Sequence, residues 1–179
     1  MKILLLGKNG QLGWELQRSL APLGELIALG HDTPGGDYSR LDEVQHAVRS
    51  IAPHIIVNAG AHTAVDEAES EPDLARQLNT QAPAMLAFEA KRLDAWLVHY
   101  STDYVFDGSG STPWVETDAT NPLNIYGQTK AESETAIREA GCQYLTFRTS
   151  WVYAARGGNF AKTMLRLGQE RDTLTVIDD

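Results

Sequence analysis

Cysteine is almost absent: Cys142 stands alone among 179 residues. One thiol cannot close an internal disulfide or build a cysteine-cluster metal site, and this usage fits a reducing compartment. Positive charge is also in deficit, with 15 Lys and Arg against 24 Asp and Glu, a net −9. That excludes a broad surface for nucleic acid or anionic membrane and leaves room only for a local basic pocket for phosphates. Long apolar runs are missing as well. The N-terminus, MKILLLGKNG, offers one lysine and the short run ILLL. A signal-peptide core needs roughly 7–15 apolar residues, and no stretch approaches the roughly 20 that span a bilayer. These absences predict a cytoplasmic, soluble protein in which ILLL is a buried strand.

What is present is a 42% hydrophobic chain of one-domain length, enough to bury a sizeable core. Short apolar runs alternate with longer helix-like stretches. Strands are expected at 2–6, 26–30, 54–58, 95–101 and 143–148, with another starting at 174–178. Helices are expected at 11–21, where Leu12, Leu16 and Leu20 form a stripe, at 41–51, 72–92, 126–140 and 159–170. Pro83 is expected to break or kink the long helix. Strand–helix alternation implies βαβ units and a parallel sheet covered on both faces, a Rossmann-type doubly wound α/β fold. The long polar loop at 107–122 is of the length that usually carries function or disorder. An ending at LTVIDD, without a closing helix, predicts that residues 1–179 are a nucleotide-binding domain and that a second domain lies beyond them.

Directly after the first strand come Gly7, Gly10 and Gly13, in the spacing G-x-x-G-x-x-G. The first permits a tight turn, the second lets a pyrophosphate approach the backbone, and the third lets the helix pack against the strand. The helix N-terminus adds free N–H groups and a positive dipole end. Where the second strand ends, an acid would bind an adenosine ribose, but the run is Leu29-Gly30-His31-Asp32. Asp32 stands two residues late, no arginine is there for a 2′-phosphate, and Lys8 is the nearest candidate cation. NADH and NADPH both stay open. Asp37 and Tyr38, further along, are candidates to border the adenine.

The fourth strand ends in HYSTDYVFDG, and in open α/β sheets ligands gather at strand C-terminal ends. A hydroxyl from Ser101 or Thr102 is placed there to bond a substrate carbonyl. Then comes YGQTK, with Tyr126 and Lys130 one helical turn apart. Reducing a ketone needs a hydride on carbon and a proton on oxygen. No side chain supplies the hydride, but a nicotinamide does. A phenol supplies the proton, and a nearby ammonium together with an oxidised nicotinamide is expected to move its pKa of about 10 toward neutrality.

Together GKNGQLG, NAGAHTAVDEAE, HYSTDYVFDG, NPLNIYGQTKAESE and FRTSWVY resemble the extended short-chain dehydrogenase/reductases, and among them the dTDP-4-dehydrorhamnose reductases. The match runs the length of the chain. The resemblance implies NAD(P)H-dependent reduction of the 4-keto group of a dTDP-sugar to dTDP-L-rhamnose. It implies a triad of Thr102, Tyr126 and Lys130, with Tyr126 the proton donor. It places Gly10, Gln11 and Leu12 on the pyrophosphate, Asp37 and Tyr38 on the adenosine side, and Ala61, His62 and Thr63 along the cofactor. Tyr100 would lie below the nicotinamide, and Thr102, Asp103 and Trp151 would meet the sugar nucleotide. Trp151 reads equally as a core indole, and His62 as a loop anchor. Several members of the family use Mg²⁺ and dimerise through acidic residues, a role whose position Glu15 fits, with further acidic ligands expected beyond residue 179. Two departures stand out: Gly30 in place of the usual acid, and no room within 179 residues for the family's C-terminal substrate domain. A 4,6-dehydratase or epimerase shares the scaffold, but Thr102 is followed by Asp103-Tyr104 where a dehydratase has Asp-Glu. A non-catalytic NADP-binding regulatory subunit is the reading from another class, and an intact triad speaks against it.

Overall fold

The computed structural model describes residues 1–176. Five parallel strands form one sheet in the order β2-β1-β3-β4-β5: β1 Lys2–Leu6, β2 Glu25–Leu29, β3 Ile55–Asn58, β4 Trp96–Thr102 and β5 Gln143–Thr149. The helices are α1 Gln11–Leu20, α2 Leu41–Ile51, α3 Val65–Ser70, α4 Pro72–Arg76, α5 Ala82–Leu93, α6 Ile125–Ala140 and α7 Phe160–Glu170. The order reverses between β1 and β3, so the loops leaving these two strands diverge and open a crevice at their C-terminal ends.

The pleat of β1 sorts its side chains. Leu4 and Leu6 face one way, into a core with Val44 and Val48 of α2, Leu86, Ala87 and Ala90 of α5, and Ile137 of α6. Ile3 and Leu5 face the other way, packing with Val57 against Leu16 and Leu20 of α1. A central strand buried on both faces reads as a continuous apolar run, which is why ILLL shows no alternation. The Leu12-Leu16-Leu20 stripe is only partly a core face, since Leu12 turns to the crevice instead.

Three expectations need correction. Helix α3 was not anticipated: AVDEAES is short and mostly polar, with only Ala68 fully buried. The stretch 72–92 is neither one helix nor a break at Pro83. Residues Gln77–Gln81 form a π-turn, closed by the Ala82 N–H donating to the Gln77 carbonyl. The wider turn takes up the backbone mismatch just before a residue with no N–H to give. Residues 174–176 carry no strand, and the rest of that expected strand, 177–178, lies outside the described residues. Among the described residues no helix is long and apolar enough to cross a membrane.

Candidate active site

The glycine loop is built as its spacing predicts. Gly7 adopts φ +86°, and a Cβ there would lie 2.5 Å from the Gly60 nitrogen. At Gly13 a Cβ would lie 2.0 Å from the Gly7 carbonyl oxygen, so only glycine lets α1 sit this close to the loop. Gly10 differs. Its φ is −70° and an added Cβ would meet nothing nearer than 3.6 Å. The fold does not need a glycine at 10; an approaching ligand would. No side chain caps the first turn of α1, which leaves its N–H groups facing the crevice.

Into that crevice, a cavity of about 430 Å³, come Gly10, Gln11 and Leu12, then Ala61 and Thr63 from the loop after β3. Tyr100, Thr102 and Asp103 enter from the end of β4, Tyr126 and Lys130 from α6, and Trp151 from beyond β5. Gly127, between the last two helix residues, is essential to this convergence. A Cβ on it would lie 2.2 Å from the Tyr104 carbonyl oxygen, so the glycine lets the start of α6 press against the turn after β4. Asn124 caps the helix by accepting from the Gly127 N–H at 2.7 Å, and the Tyr104 and Tyr126 rings meet edge to face at 5.8 Å.

Burial raises the Tyr126 phenol above its usual pKa. The nearby Thr102 hydroxyl opposes the rise, and Asp103 and Tyr104 add to it. Among the chain's own groups, desolvation is therefore what governs the phenol. Lys130 itself is buried, its ammonium donating to the Tyr100 carbonyl at 2.5 Å. Desolvation brings it down to about 8, against the pull of Glu134. The Thr102 hydroxyl donates to Asp103 at 3.0 Å, and Ser150 donates to the other Asp103 oxygen at 2.5 Å.

Of the other expected residues, Trp151 lines this cavity, and Asp37, Tyr38, His62 and Glu15 do not. The Tyr38 ring is in the core, its hydroxyl donating to Asn58 Oδ1 at 2.6 Å, so its side chain supports the floor of the site. Asp37 accepts from the Ser39 N–H at 2.9 Å and holds a local turn. His62 is clamped by its backbone: its N–H donates to Asn79 Oδ1 at 2.8 Å, and Asn79 Nδ2 donates back to its carbonyl at 3.1 Å. This bears on the choice between loop anchor and ligand contact, since the ring does not line the cavity. Trp151 is not a core indole: it is 72% exposed, at φ +50°, edge to face with Phe160. Glu15 sits outside the site in an ion pair with Arg18. Among the described residues no group of three or more His, Cys, Asp or Glu could hold a metal ion.

Sequence reasoning missed several contributors. Asn58 and Asn79 are buried amides that brace the loop after β3; a polar residue ending a buried strand was the available signal for the first, and the π-turn hid the second. The segment 154–159 also returns to the glycine loop. Asn159 Nδ2 donates to Gln11 Oε1 at 2.9 Å, and the Arg156 guanidinium lies 3.7 Å over the Trp14 ring. At the end of β2, Asn9 occupies the space a side chain at 30 would need: a Cβ there would be 1.7 Å from Asn9 Oδ1. Asp32 instead faces Lys8 at 3.6 Å, and its carboxyl is held low mainly by Asn9.

The family model described as the RmlD substrate binding domain matches residues 1–179. The dTDP-4-dehydrorhamnose reductase of Shigella flexneri is 59% identical over 181 residues, an alignment that takes in 100% of this chain and 60% of the relative. A solved dTDP-4-dehydrorhamnose reductase from Clostridium acetobutylicum superposes with a TM-score of 0.91 at 40% identity, over 97% of this chain and 61% of that one. The Bacillus anthracis enzyme of the same name, solved in complex with NADP, gives 0.88 at 39% identity, over 95% and 60%. The chain thus spans about 60% of the length of the relatives it matches.

Proposed function

The chain belongs to the RmlD substrate-binding-domain family, and from that premise we propose that it is the cofactor-binding and catalytic part of an NAD(P)H-dependent reductase. Its substrate would be the 4-keto group of dTDP-4-dehydro-L-rhamnose and its product dTDP-L-rhamnose. The observation that carries the reading is the single cavity in which Thr102, Tyr126 and Lys130 meet an open glycine at position 10 and an uncapped helix N-terminus. A pyrophosphate suits that cradle. The sugar nucleotide would be bound partly here, by Thr102, Asp103 and Trp151, and partly by a substrate domain after residue 179.

When bound, the nicotinamide supplies a hydride to the carbonyl carbon. The chain's own residues do the rest. Tyr126, protonated at neutral pH as phenols are and held so more firmly by burial, gives its proton to the carbonyl oxygen. The Thr102 hydroxyl, turned from Asp103, orients that oxygen. The Lys130 ammonium favours the phenolate left behind and offers a donor toward the cofactor's ribose. Either cofactor can be accommodated. Asp32 suits a free 2′-hydroxyl, while Lys8, at present paired with it, is the cation for a 2′-phosphate. The reading places the enzyme in the cytoplasm. Its test is oxidation of NADH and NADPH by the full-length protein, with the keto-sugar generated in place by its epimerase. Turnover with that sugar supports the reading. Tight cofactor binding without turnover favours a regulatory binder.

A further inference from the structure

Behind Lys130 runs a chain of buried polar groups that the proposed reaction does not use. Asn58, His99 and Ser133 are all essentially inaccessible. Asn58 Oδ1 accepts from the Tyr38 hydroxyl at 2.6 Å and from the Gly60 N–H at 3.2 Å. A backbone N–H can only donate, so the amide face toward Gly60 is the oxygen and the –NH₂ must face His99. Asn58 Nδ2 lies 3.1 Å from His99 Nδ1, which therefore has to accept. A neutral ring accepting there carries its proton on Nε2. That N–H has an acceptor, since Ser133 Oγ is 3.1 Å away and its own hydroxyl is already spent on the Lys130 carbonyl at 2.6 Å.

The consequence falls on Lys130. Its Nζ is 3.3 Å from the same Nε2, so an ammonium there meets an N–H rather than a lone pair. Within the chain the ammonium has a good acceptor in the Tyr100 carbonyl and none from the ring. The neutral amine, by contrast, could accept from Nε2–H. We propose that His99 is a positioning residue: with its proton set on Nε2 by Asn58, it fixes the Lys130 side chain from behind and denies the ammonium an acceptor, so Lys130 releases its proton more readily. The role rests on the reductase reading for its place in the chemistry, but not for its physics. The other groups around Lys130 are accounted for. On its own helix Tyr126 lies one turn before it, and Glu134, one turn after it, favours the ammonium. Glu134 is in turn held by Arg148 of β5 at 2.7 Å. Desolvation disfavours the charged forms of both Lys130 and His99, and the Lys130 charge also holds the imidazole below its ordinary pKa, consistent with a neutral ring.

The test needs no turnover. Nitrogen NMR of histidine-labelled protein reads the His99 tautomer directly, and carbon NMR of labelled lysine follows Lys130, identified by the signal lost in Lys130→Arg. The expected tautomer is Nε2–H. In His99→Gln the carboxamide oxygen can turn toward Nζ, and the proton affinity of Lys130 should rise about tenfold or more, one pKa unit. A residue that merely fills space would leave that titration where it was. A wild-type ring protonated on Nδ1, or a His99→Gln protein whose Lys130 titrates as in wild type, overturns the proposal. Should His99→Gln not fold, the wild-type tautomer decides, and Asn58→Leu, which removes the donor to Nδ1, gives the second comparison. Failure to reduce the keto-sugar, with the Nε2–H tautomer and the Lys130 shift both observed, would sink the reductase reading and leave this one standing.

Discussion

The three glycines of the loop make separable predictions. Gly10→Ala places a methyl 3.6 Å from its nearest neighbour, an ordinary contact, at a φ any residue adopts. The only folding cost is a weaker helix N-cap, about 1 kcal/mol. Gly13→Ala drives a methyl to 2.0 Å from the Gly7 oxygen and 2.7 Å from its carbonyl carbon, backbone that cannot rotate away. Overpacking of this kind costs ~3 kcal/mol or more, and the helix-propensity gain of about 1 kcal/mol offsets only part of it. Gly7→Ala adds a strained φ, about 1–2 kcal/mol, to a clash with Gly60. Against a domain stability of roughly 5–15 kcal/mol these two losses are large. Urea unfolding should find Gly10→Ala near wild type and the other two clearly destabilised. Fluorescence titration with NADPH should find Gly10→Ala weakened at least about tenfold, or ~1.4 kcal/mol, because the methyl occupies the pyrophosphate's approach. A Gly10→Ala protein that binds NADPH like wild type would refute the assignment, and a Gly13→Ala protein of wild-type stability would refute the packing argument.

Other predictions concern charge. Lys130 titrates near 8 in the fold against a reference of 10.5, a gap of about 2.5 units or ~3 kcal/mol. Below pH 8 the unfolded chain holds this proton more tightly, so the penalty is full there and fades as pH rises toward 10.5. Lys130→Met should therefore match or exceed wild-type stability at pH 7 in urea unfolding, with its relative advantage shrinking by pH 10. His99 has its pKa depressed by burial, so its contribution is intact above the unfolded value of about 6.5 and is lost as pH falls below it. As pH falls below about 6.5 that loss grows by up to about 1.4 kcal/mol per unit, and thermal or urea melts of His99→Gln should lack this component. Asp32→Asn removes the carboxylate facing Lys8 and should shift the ratio of NADPH to NADH affinity upward in paired titrations.

Much of this molecule was legible in its residues, because the strongest signals were of two kinds. Buried parallel strands announce themselves as short apolar runs, and all five fell within a residue or two of their expected places. The glycine loop and YGQTK carried their chemistry in spacing, and the cavity brings them together. What was illegible depends on tertiary context. Helix α3 has too few buried positions to show a period. The π-turn arises from how Pro83 is accommodated, which a propensity reading can only render as a break. Tyr38 and Asn58 are both polar, and only the fold reveals that each satisfies the other in the core. At Tyr126 an ammonium one turn away suggests attraction, yet among the chain's own groups burial of the phenol dominates.

The most direct test of the account is Tyr126→Phe in the full-length protein, measuring both NADPH binding and NADPH oxidation with the keto-sugar. The substitution removes one hydroxyl from a ring that stays packed against Tyr104. The account predicts cofactor affinity close to wild type and turnover reduced by roughly two orders of magnitude or more, the usual scale of a lost general acid. Turnover that survives the loss of this hydroxyl would contradict the assignment of Tyr126 as the proton donor.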